Sequence, residues 1–460
     1  MVYLPHWPIP STIGKKTIDY ETVFERAKIV LERLENPHLK LPPVIHIAGT
    51  NGKGSTASLI AQIFQCHGYK AHLYTSPHLH DCNERILIDG QKISDRELYA
   101  TMEEVRLKAY DVDLTFMEAF TIGAFLAFSK NPADVLVVEC GMGGRIDITN
   151  IISQNPADVV VVECGMGGRI DITNIIPKKI ATVLTSISMD HVEYLGDNIQ
   201  KIALEKAHII RSQTPLIVAP QANIVKDLIK IVANDQRALS YFYDEDFYVE
   251  KNDNDGTFDF FWQNEILLPN LRKPNLEGDH QYYNFACAIA CCMAISDKFI
   301  FNYDGINQAV FGVQWLSRLE KIDNNLNKIS KNPLSEIWID GAHNEGGAFI
   351  LANWIKLQSP IKNFIICGFS RGKCKIKFLE KFKDIAEIVA IKVNGEPYPD
   401  TPEHIVEIAK NHEIEVKNGE DLLKSLNLIE NEYANQPYRI IICGSLHLAR
   451  DVRHFNKITF

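Results

Sequence analysis

Residues 44–55 read Val-Ile-His-Ile-Ala-Gly-Thr-Asn-Gly-Lys-Gly-Ser, an apolar run that passes into three glycines, one lysine and one hydroxyl. A continuous apolar run of this length reads as a buried strand of a parallel sheet, and the glycines after it read as a tight turn into a helix. Gly49, Gly52 and Gly54 open backbone conformations closed to other residues, so successive amides can face an anion while the helix offers its positive end. Lys53 can reach outer phosphates, and the Ser55 hydroxyl can face a magnesium ion or a phosphate oxygen. A glycine separates the lysine from the hydroxyl, so the segment is a variant of the Walker loop. Packing alone would explain the glycines but neither Lys53 nor Ser55.

Strand-like runs alternate with helical patterns from that loop onward, at Val44–Ala48, Ala71–Tyr74, Val135–Val138, Ala181–Ser186 and Leu216–Ala219. The alternation predicts a parallel sheet with helices on both faces. A second series, Ile337–Ile339, Phe364–Cys367, Ile388–Lys392 and Ile440–Cys443, follows a polar stretch near Lys321–Ser335. The expected fold is therefore α/β, with an N-terminal P-loop-type parallel-sheet ATPase domain over residues 1–320 and a smaller Rossmann-like α/β domain over 321–460. Phe247–Pro269 alternates aromatic and polar residues around Asp253-Asn254-Asp255-Gly256 and reads as a β-hairpin. Lys251 stands where a calcium loop needs its first acidic ligand, so the acidic turn is a plain turn.

A length of 460 residues calls for two or three domains. The formal charge of −10 argues against a nucleic-acid partner, which needs a basic footprint. No apolar run is long enough to span a bilayer, and the N-terminus, with Pro5, Pro8, Pro10, Lys15 and Lys16, lacks the apolar core of a secretory signal, so a cytoplasmic protein without a membrane partner is expected. The ten cysteines form no CxxC pair and have no histidine at zinc spacing, which reads as reduced thiols. Cys291 and Cys292 lie in Ala286–Ile295, a core-helix pattern.

One segment occurs twice. Asn131–Ile152 and Asn155–Ile176 are the same 22 residues apart from Leu136 against Val160, at a period of 24. Solenoids need three or more copies, so this is a tandem duplication of one unit. Each copy holds a valine-rich strand, then Glu-Cys-Gly-Met-Gly-Gly-Arg, then Ile-Asp-Ile-Thr-Asn. A single copy is expected to fill the corresponding slot in the sheet, with the other displaced as a surface insertion. The Gly141–Gly144 run lacks the third glycine of a dinucleotide fingerprint, and no apolar helix follows it. Glu139 or Glu163 ends a buried strand directly before a glycine turn, where a parallel sheet presents its ligands. Ser76, after the strand Ala71–Tyr74, is a candidate magnesium ligand or an ordinary turn residue, and His191 a candidate metal ligand or a structural histidine.

Taken in order, Gly-Thr-Asn-Gly-Lys-Gly-Ser at 49–55, Thr-Ser-Pro-His-Leu at 75–79, Asn-Glu-Arg-Ile at 83–86, Thr-Phe-Met-Glu at 115–118, the repeated Glu-Cys-Gly-Met-Gly-Gly-Arg-Ile-Asp-Ile-Thr-Asn, Glu205-Lys206-Ala207, Gly278–Gln281 with Asn284, Arg318-Leu319-Glu320, Asp340–Asn344 and Cys443–Leu446 resemble the folylpolyglutamate synthases and dihydrofolate synthases of the Mur ligase superfamily. The resemblance implies an ATP-dependent amide ligase of folate biosynthesis. It would use ATP and Mg2+, take dihydropteroate, reduced folates and L-glutamate as small-molecule partners, and act as a monomer. It implies that Gly49, Thr50, Asn51, Gly52, Lys53, Gly54 and Ser55 hold the phosphates, with Asn284, Arg318, Asp340 and His343 as further nucleotide contacts. Ser76, His191 and Glu163, or Glu139 in its place, would ligate magnesium. Lys206 matches a lysine that the family carbamylates, since a carbamate supplies an anion where an ammonium would repel the metal. Lys53, His191 and Lys206 are then the catalytic set, and Thr115, Phe116, Met117, Glu118, Ile170, Asp171 and Ile172 the pterin-side contacts.

The chain departs from the family pattern at several places. Ile148 and Ile172 stand where alanine is usual, Met117 where an aromatic residue would stack on the pterin, His208 where glycine is usual, and Leu316-Ser317 in place of Pro-Gly. Gly372-Lys373-Cys374 lacks the acidic residue expected after its lysine. Two other readings stand beside the folate ligase: a different Mur-type ligase, and a nucleotide-binding protein disabled by the duplication.

Overall fold

The computed structural model describes residues 20–138, 160–162, 179–252, 256–322, 332–371, 375–394, 396 and 398–456. The chain divides into two compact units. The first comprises residues 1–187, 191–275 and 281–313; the second takes in Gln314–Phe460 together with Ser188–Asp190 and Leu276–His280.

In the first unit the strands are β1 (Val44–Ala48), β2 (Ala71–Tyr74), β3 (Ile86–Ile88), β4 (Gln91–Lys92), β5 (Val135–Val138), β6 (Val160–Val162), β7 (Ala181–Leu184), β8 (Pro215–Val218) and β9 (Leu239–Phe242). They form one sheet in the order β4-β3-β2-β5-β6-β1-β7-β8-β9, antiparallel only at β2–β3 and β3–β4. All five residues of β1 are buried, which is why the run shows no alternation. The helices are α1 (Tyr20–Arg33), α2 (Lys53–Cys66), α3 (Asp95–Lys108), α4 (Phe116–Ser129), α5 (Val192–Leu195), α6 (Ile199–Ala207), α7 (Asn223–Asp235), α8 (His280–Ala294) and α9 (Tyr303–Gly312). One core joins α1, α3 and α4 to Val44, Tyr74 and Leu136 of the sheet. Cys287, Cys291 and Cys292 are fully buried in α8, where burial pushes their thiols up. No described helix is long and apolar enough to cross a membrane.

Two expectations need correction. The Phe247–Pro269 region is a three-stranded antiparallel sheet of β10 (Phe247–Asn252), β11 (Thr257–Trp262) and β12 (Glu265–Leu271), not a hairpin. Its aromatic residues pair across strands, Tyr248 stacking on Phe261 with centroids 4.4 Å apart; residues 253–255 of the turn lie outside the described set. The duplicated segment departs further from expectation, because strands of both copies enter the sheet. β5 pairs with β2 along its length and still meets β1, where the Leu136 amide donates to the Pro43 carbonyl at 3.1 Å. β6 pairs with β1 through Val44↔Val160 and Ile45↔Val161.

The register explains how both are accommodated. Leu136, Val137 and Val138 stand opposite Val160, Val161 and Val162, an offset of 160 − 136 = 24 that equals the repeat period. Leu136, Val137 and Val138 thus each stand beside their own counterpart, and neither copy must slip to extend the parallel ladder.

The second unit has β13 (Glu320–Ile322), β14 (Ser335–Ile339), β15 (Lys362–Cys367), β16 (Glu387–Ile391), β17 (Val416–Glu420) and β18 (Tyr438–Cys443) in the order β13-β14-β18-β15-β16-β17, with only β13 antiparallel. Helices α10 (Glu345–Leu357), α11 (Lys375–Leu379), α12 (Pro402–Lys410), α13 (Leu422–Glu432) and α14 (Leu446–Asn456) accompany it. All six residues of β18, at the centre, are buried. Apolar cores lie on both faces of the sheet, one around Trp354, Phe369 and Phe378 and the other around Ile440, Ile442 and Leu448.

Because β5 already bridges β2 and β1, deleting residues 136–159 should leave a folded protein with a melting temperature equal to or above that of the full chain. Thermal unfolding checks this, and an aggregated or unfolded product would show that the second strand is needed.

Candidate active site

The phosphate loop is shaped by two close backbone approaches. A Cβ on Gly49 would lie 1.8 Å from Thr185 Oγ1, and one on Gly52 would lie 2.5 Å from Asn284 Oδ1. Gly52 also has φ +87, in the left-handed region, so it meets both constraints at once. The Thr50 and Asn51 amides donate to the Ser186 carbonyl at 2.8 and 3.1 Å. The Thr50 and Asn51 amides, which the sequence assigned to the anion, are therefore used within the fold, and the cradle is left to the start of α2. It consists of the first-turn amides of α2, which have no intrahelical acceptor, at a helix start that no side chain caps. Lys53 Nζ reaches back to the Thr50 carbonyl at 3.3 Å. Asn284 packs against this loop and accepts no second role by accident: its Nδ2 donates to Gln281 Oε1 at 2.9 Å, which aims the carbonyl oxygen at Gly52.

Lys206, near the end of α6, is buried and donates to the Gly49 carbonyl at 2.7 Å. The Ser55 and Ser76 hydroxyls are buried and have no hydrogen-bond partner among the described residues. Two unsatisfied buried hydroxyls at the carboxyl edge of a parallel sheet fit oxygen ligation of a magnesium ion. His191 is half-buried at φ +50 and opens the short helix α5, a backbone conformation that non-glycine residues adopt at a cost. Glu139, Glu163, Ile170, Asp171 and Ile172 lie outside the described residues. Among the described residues no cluster of three His, Cys, Asp or Glu side chains is placed to hold a metal.

On the side assigned to the pterin, Thr115 and Glu118 form a capping box at the start of α4. Glu118 Oε2 accepts from the Thr115 amide at 2.6 Å, and Oε1 accepts from Arg26 Nη2 at 2.7 Å. Burial raises the Glu118 carboxyl above its ordinary range, against the lowering effect of these donors. Phe116 and Met117, in the first turn, are the members of this motif not engaged in the cap; Met117 Sδ lies 3.3 Å from Arg85 Nη1.

In the second unit Asp340 directly follows β14 and receives the Leu319 amide at 2.6 Å and the Ala342 amide at 2.7 Å. Burial raises its carboxyl, opposed chiefly by the Arg318 guanidinium. His343 is held between the Gly341 carbonyl at 2.9 Å and Asp190 Oδ2 at 3.2 Å, and Asn344 donates to the same oxygen at 3.2 Å. Ser317, standing where the family pattern has glycine, has φ +55 and a buried hydroxyl without a partner. His208 also replaces a glycine but sits at φ −65, where any residue fits.

Several of these contacts had no sequence signal. Gln221 donates to the Thr185 carbonyl at 2.9 Å and accepts the Ile187 amide at 3.0 Å, fixing the exit of β7 beside the loop. Arg26 likewise stood outside every motif, while Asp190 and Asn344 stood in motifs that gave no sign of their pairing, 154 positions apart. Only the Thr115–Glu118 spacing was readable in advance, as a capping box.

Residues 47–292 match the Mur ligase middle domain, and residues 322–455 match the C-terminal domain of dihydrofolate synthetase. The chain is 31% identical over 448 residues to the folylpolyglutamate synthase of Lacticaseibacillus casei, covering 93% of each. It is 27% identical over 441 residues to the dihydrofolate synthase/folylpolyglutamate synthase of Bacillus subtilis, again covering 93% of each. Among solved structures it is similar to Mycobacterium tuberculosis folylpolyglutamate synthase complexed with ADP and AMPPCP, with TM-score 0.79, 26% identity and coverage of 95% of this chain and 96% of that one. It is also similar to E. coli FolC in complex with DHPP and ADP, with TM-score 0.77, 25% identity and coverage of 94% and 93%.

Substituting Gly52→Ala should abolish the thermal stabilisation of the protein by ATP, since the new methyl group meets Asn284 and the left-handed backbone is lost. A retained shift would show that the loop is not the nucleotide site. Ser317→Gly should stabilise the protein by about 1 kcal/mol, measured by denaturant unfolding, because it relieves a left-handed non-glycine residue.

Proposed function

The chain belongs to the folylpolyglutamate synthase and dihydrofolate synthase family of Mur ligases, and we propose from that premise that it joins the amine of L-glutamate to the carboxylate of dihydropteroate, of reduced folates, or of both. It is an ATP-dependent, amide-forming ligase of folate metabolism. The observation that carries the reading is the uncapped start of α2 beside two buried, unsatisfied hydroxyls, Ser55 and Ser76. Such a constellation takes phosphates and a hard cation.

A carboxylate is a poor electrophile until one oxygen becomes a good leaving group. In the proposed reaction the substrate carboxylate attacks the γ-phosphorus of ATP and ADP departs, giving an acyl phosphate. The glutamate amine then attacks the acyl carbon, phosphate leaves, the amine gives up a proton, and an amide remains. The α2 amides and Lys53 hold and neutralise the phosphates, a task of positioning and electrostatics. Ser55, Ser76, His191 and the carboxylate of Glu139 or Glu163 would hold magnesium, which when bound offsets charge on the transferring phosphoryl group. Lys206 lies directly beneath the loop through Gly49, and as a carbamate it would add an anion there. Arg318, Asp340 and His343 are assigned to the nucleotide, and Phe116 and Met117 to the pterin. We assign the enzyme to the cytoplasm, as a monomer.

Phosphate release with ATP and magnesium should require both glutamate and a pterin substrate, dihydropteroate or tetrahydrofolate, and Lys53→Ala should reduce it by orders of magnitude. ATP binding without release under any combination would instead identify a nucleotide-binding protein disabled by its duplication.

A further inference from the structure

Arg85 is a buried arginine that no carboxylate among the described residues neutralises. Its side chain is 6% exposed. Nε donates to His78 Nδ1 at 2.8 Å, Nη1 lies against the Met117 sulfur, and the guanidinium carbon is 5.7 Å from the centre of the Phe120 ring. None of these partners is an anion. The neighbouring carboxylates are engaged elsewhere: Glu84 accepts the amides of Leu79, His80 and Asp81, and Glu118 holds Arg26 and the α4 cap. An unpaired guanidinium inside a protein is costly, and a thioether and a ring face compensate it only weakly.

Its position gives this charge a use. The Arg85 carbonyl accepts the Thr75 amide at 3.1 Å, tying the residue to the strand exit that carries Ser76. Its guanidinium meets the first turn of α4, the positive end of a 14-residue helix, at Met117. The contact also fixes the His78 ring, with Nδ1 accepting from Arg85 and Nε2 3.9 Å from Cys82 Sγ. Arg85 is thus oriented through Nε by a side chain that brings no carboxylate, and its charge is available to a group that arrives from outside.

We propose that Arg85 binds an oxygen acceptor of the pterin-bearing substrate, either the carboxylate to be activated or the ring carbonyl oxygen. This rests on the folate-ligase reading above and adds to it a substrate-binding residue. A guanidinium fork recognises such an oxygen with charge-assisted hydrogen bonds, and the Met117 and Phe120 side chains beside it suit a flat ring.

The test measures binding of dihydropteroate and of ATP, by calorimetry on the full-length protein, for the wild type, R85M, R85Q and R85K. R85M and R85Q should bind dihydropteroate about 10- to 100-fold more weakly, the loss expected for a hydrogen bond to a charged group. R85K should recover part of that loss, and ATP affinity should be unchanged in all three. Competition by p-aminobenzoate and by 6-hydroxymethyl-7,8-dihydropterin identifies the oxygen, because only the fragment that carries it should lose affinity in R85M. A wild type that binds ATP but neither dihydropteroate nor tetrahydrofolate overturns the functional reading itself; where only tetrahydrofolate binds, it takes the place of dihydropteroate in the comparison of variants. A wild type that binds dihydropteroate, with R85M and R85Q binding it equally well, overturns the Arg85 assignment alone. Should those variants fail to fold, a crystal structure of the wild-type complex decides: an oxygen of dihydropteroate within hydrogen-bonding distance of the guanidinium supports the assignment, and none there overturns it.

Discussion

The nucleotide end of the first unit depends on the absence of two methyl groups. Gly49 lies so close to Thr185, and Gly52 to Asn284, that no Cβ fits at either place. Thr185 is itself fixed, with its amide donating to the Ala48 carbonyl at 2.7 Å and its hydroxyl to the same atom at 3.2 Å. Ser186 takes the Thr50 and Asn51 amides, Gln221 clamps the turn after β7, and Lys206 holds the Gly49 carbonyl from below. The exits of β1 and β7 therefore form one stitched piece. What remains for a ligand is the first turn of α2, aimed before the ligand arrives, and preorganisation of this kind is what electrostatic catalysis requires.

The duplication is tolerated by the same logic of backbone pairing. A parallel strand offers amides and carbonyls on both edges, so a second copy displaced by one period can extend the ladder without changing its alternation. The consequence for the site lies in the neighbours. β5 borders β2, whose exit carries Ser76, while β6 borders β1, whose exit is the phosphate loop. Each copy supplies a glutamate directly after its strand in sequence, Glu139 after β5 and Glu163 after β6. The chain thus carries two candidates for one ligand, and the rule that a slot holds one strand does not choose between them.

Buried parallel strands were the most legible part of the fold. β1, β2 and β5 begin and end where their largely apolar runs do, and in β1 and β2 every residue is buried, the interior His46 and His72 included. β12 was hidden for the opposite reason. Glu265, Ile266 and Leu267 are all exposed on a sheet edge, and Pro269 interrupts the run, which an edge strand tolerates. In the site, local chemistry could be read and long-range chemistry could not. The phosphate loop announces itself within twelve residues, whereas the Asp190–His343 and Arg26–Glu118 contacts join residues 153 and 92 positions apart. Thr115 and Glu118 carry a lesson of their own: a family motif placed them at the substrate, yet their polar atoms close a helix cap, and it is Met117 between them that meets Arg85.

Strain and its restraint explain the remaining departure from the family pattern. Ser317 and Leu319 both lie in the left-handed region, at φ +55 and +49. A turn with two such residues persists only when its surroundings over-determine it. Asp340 does this by accepting the Leu319 amide, while the Gly341 amide donates to the Ser317 carbonyl and Glu320 accepts the Ser317 amide at 2.9 Å. Arg318 sits between the two strained residues, so its direction follows from theirs, and its guanidinium opposes the burial of Asp340 in return. The serine is therefore tolerated because the carboxylate that holds the turn is buried beside it. The same replacement at a position lacking such a strap, as His208 illustrates by its ordinary φ, survives only where the backbone never needed glycine.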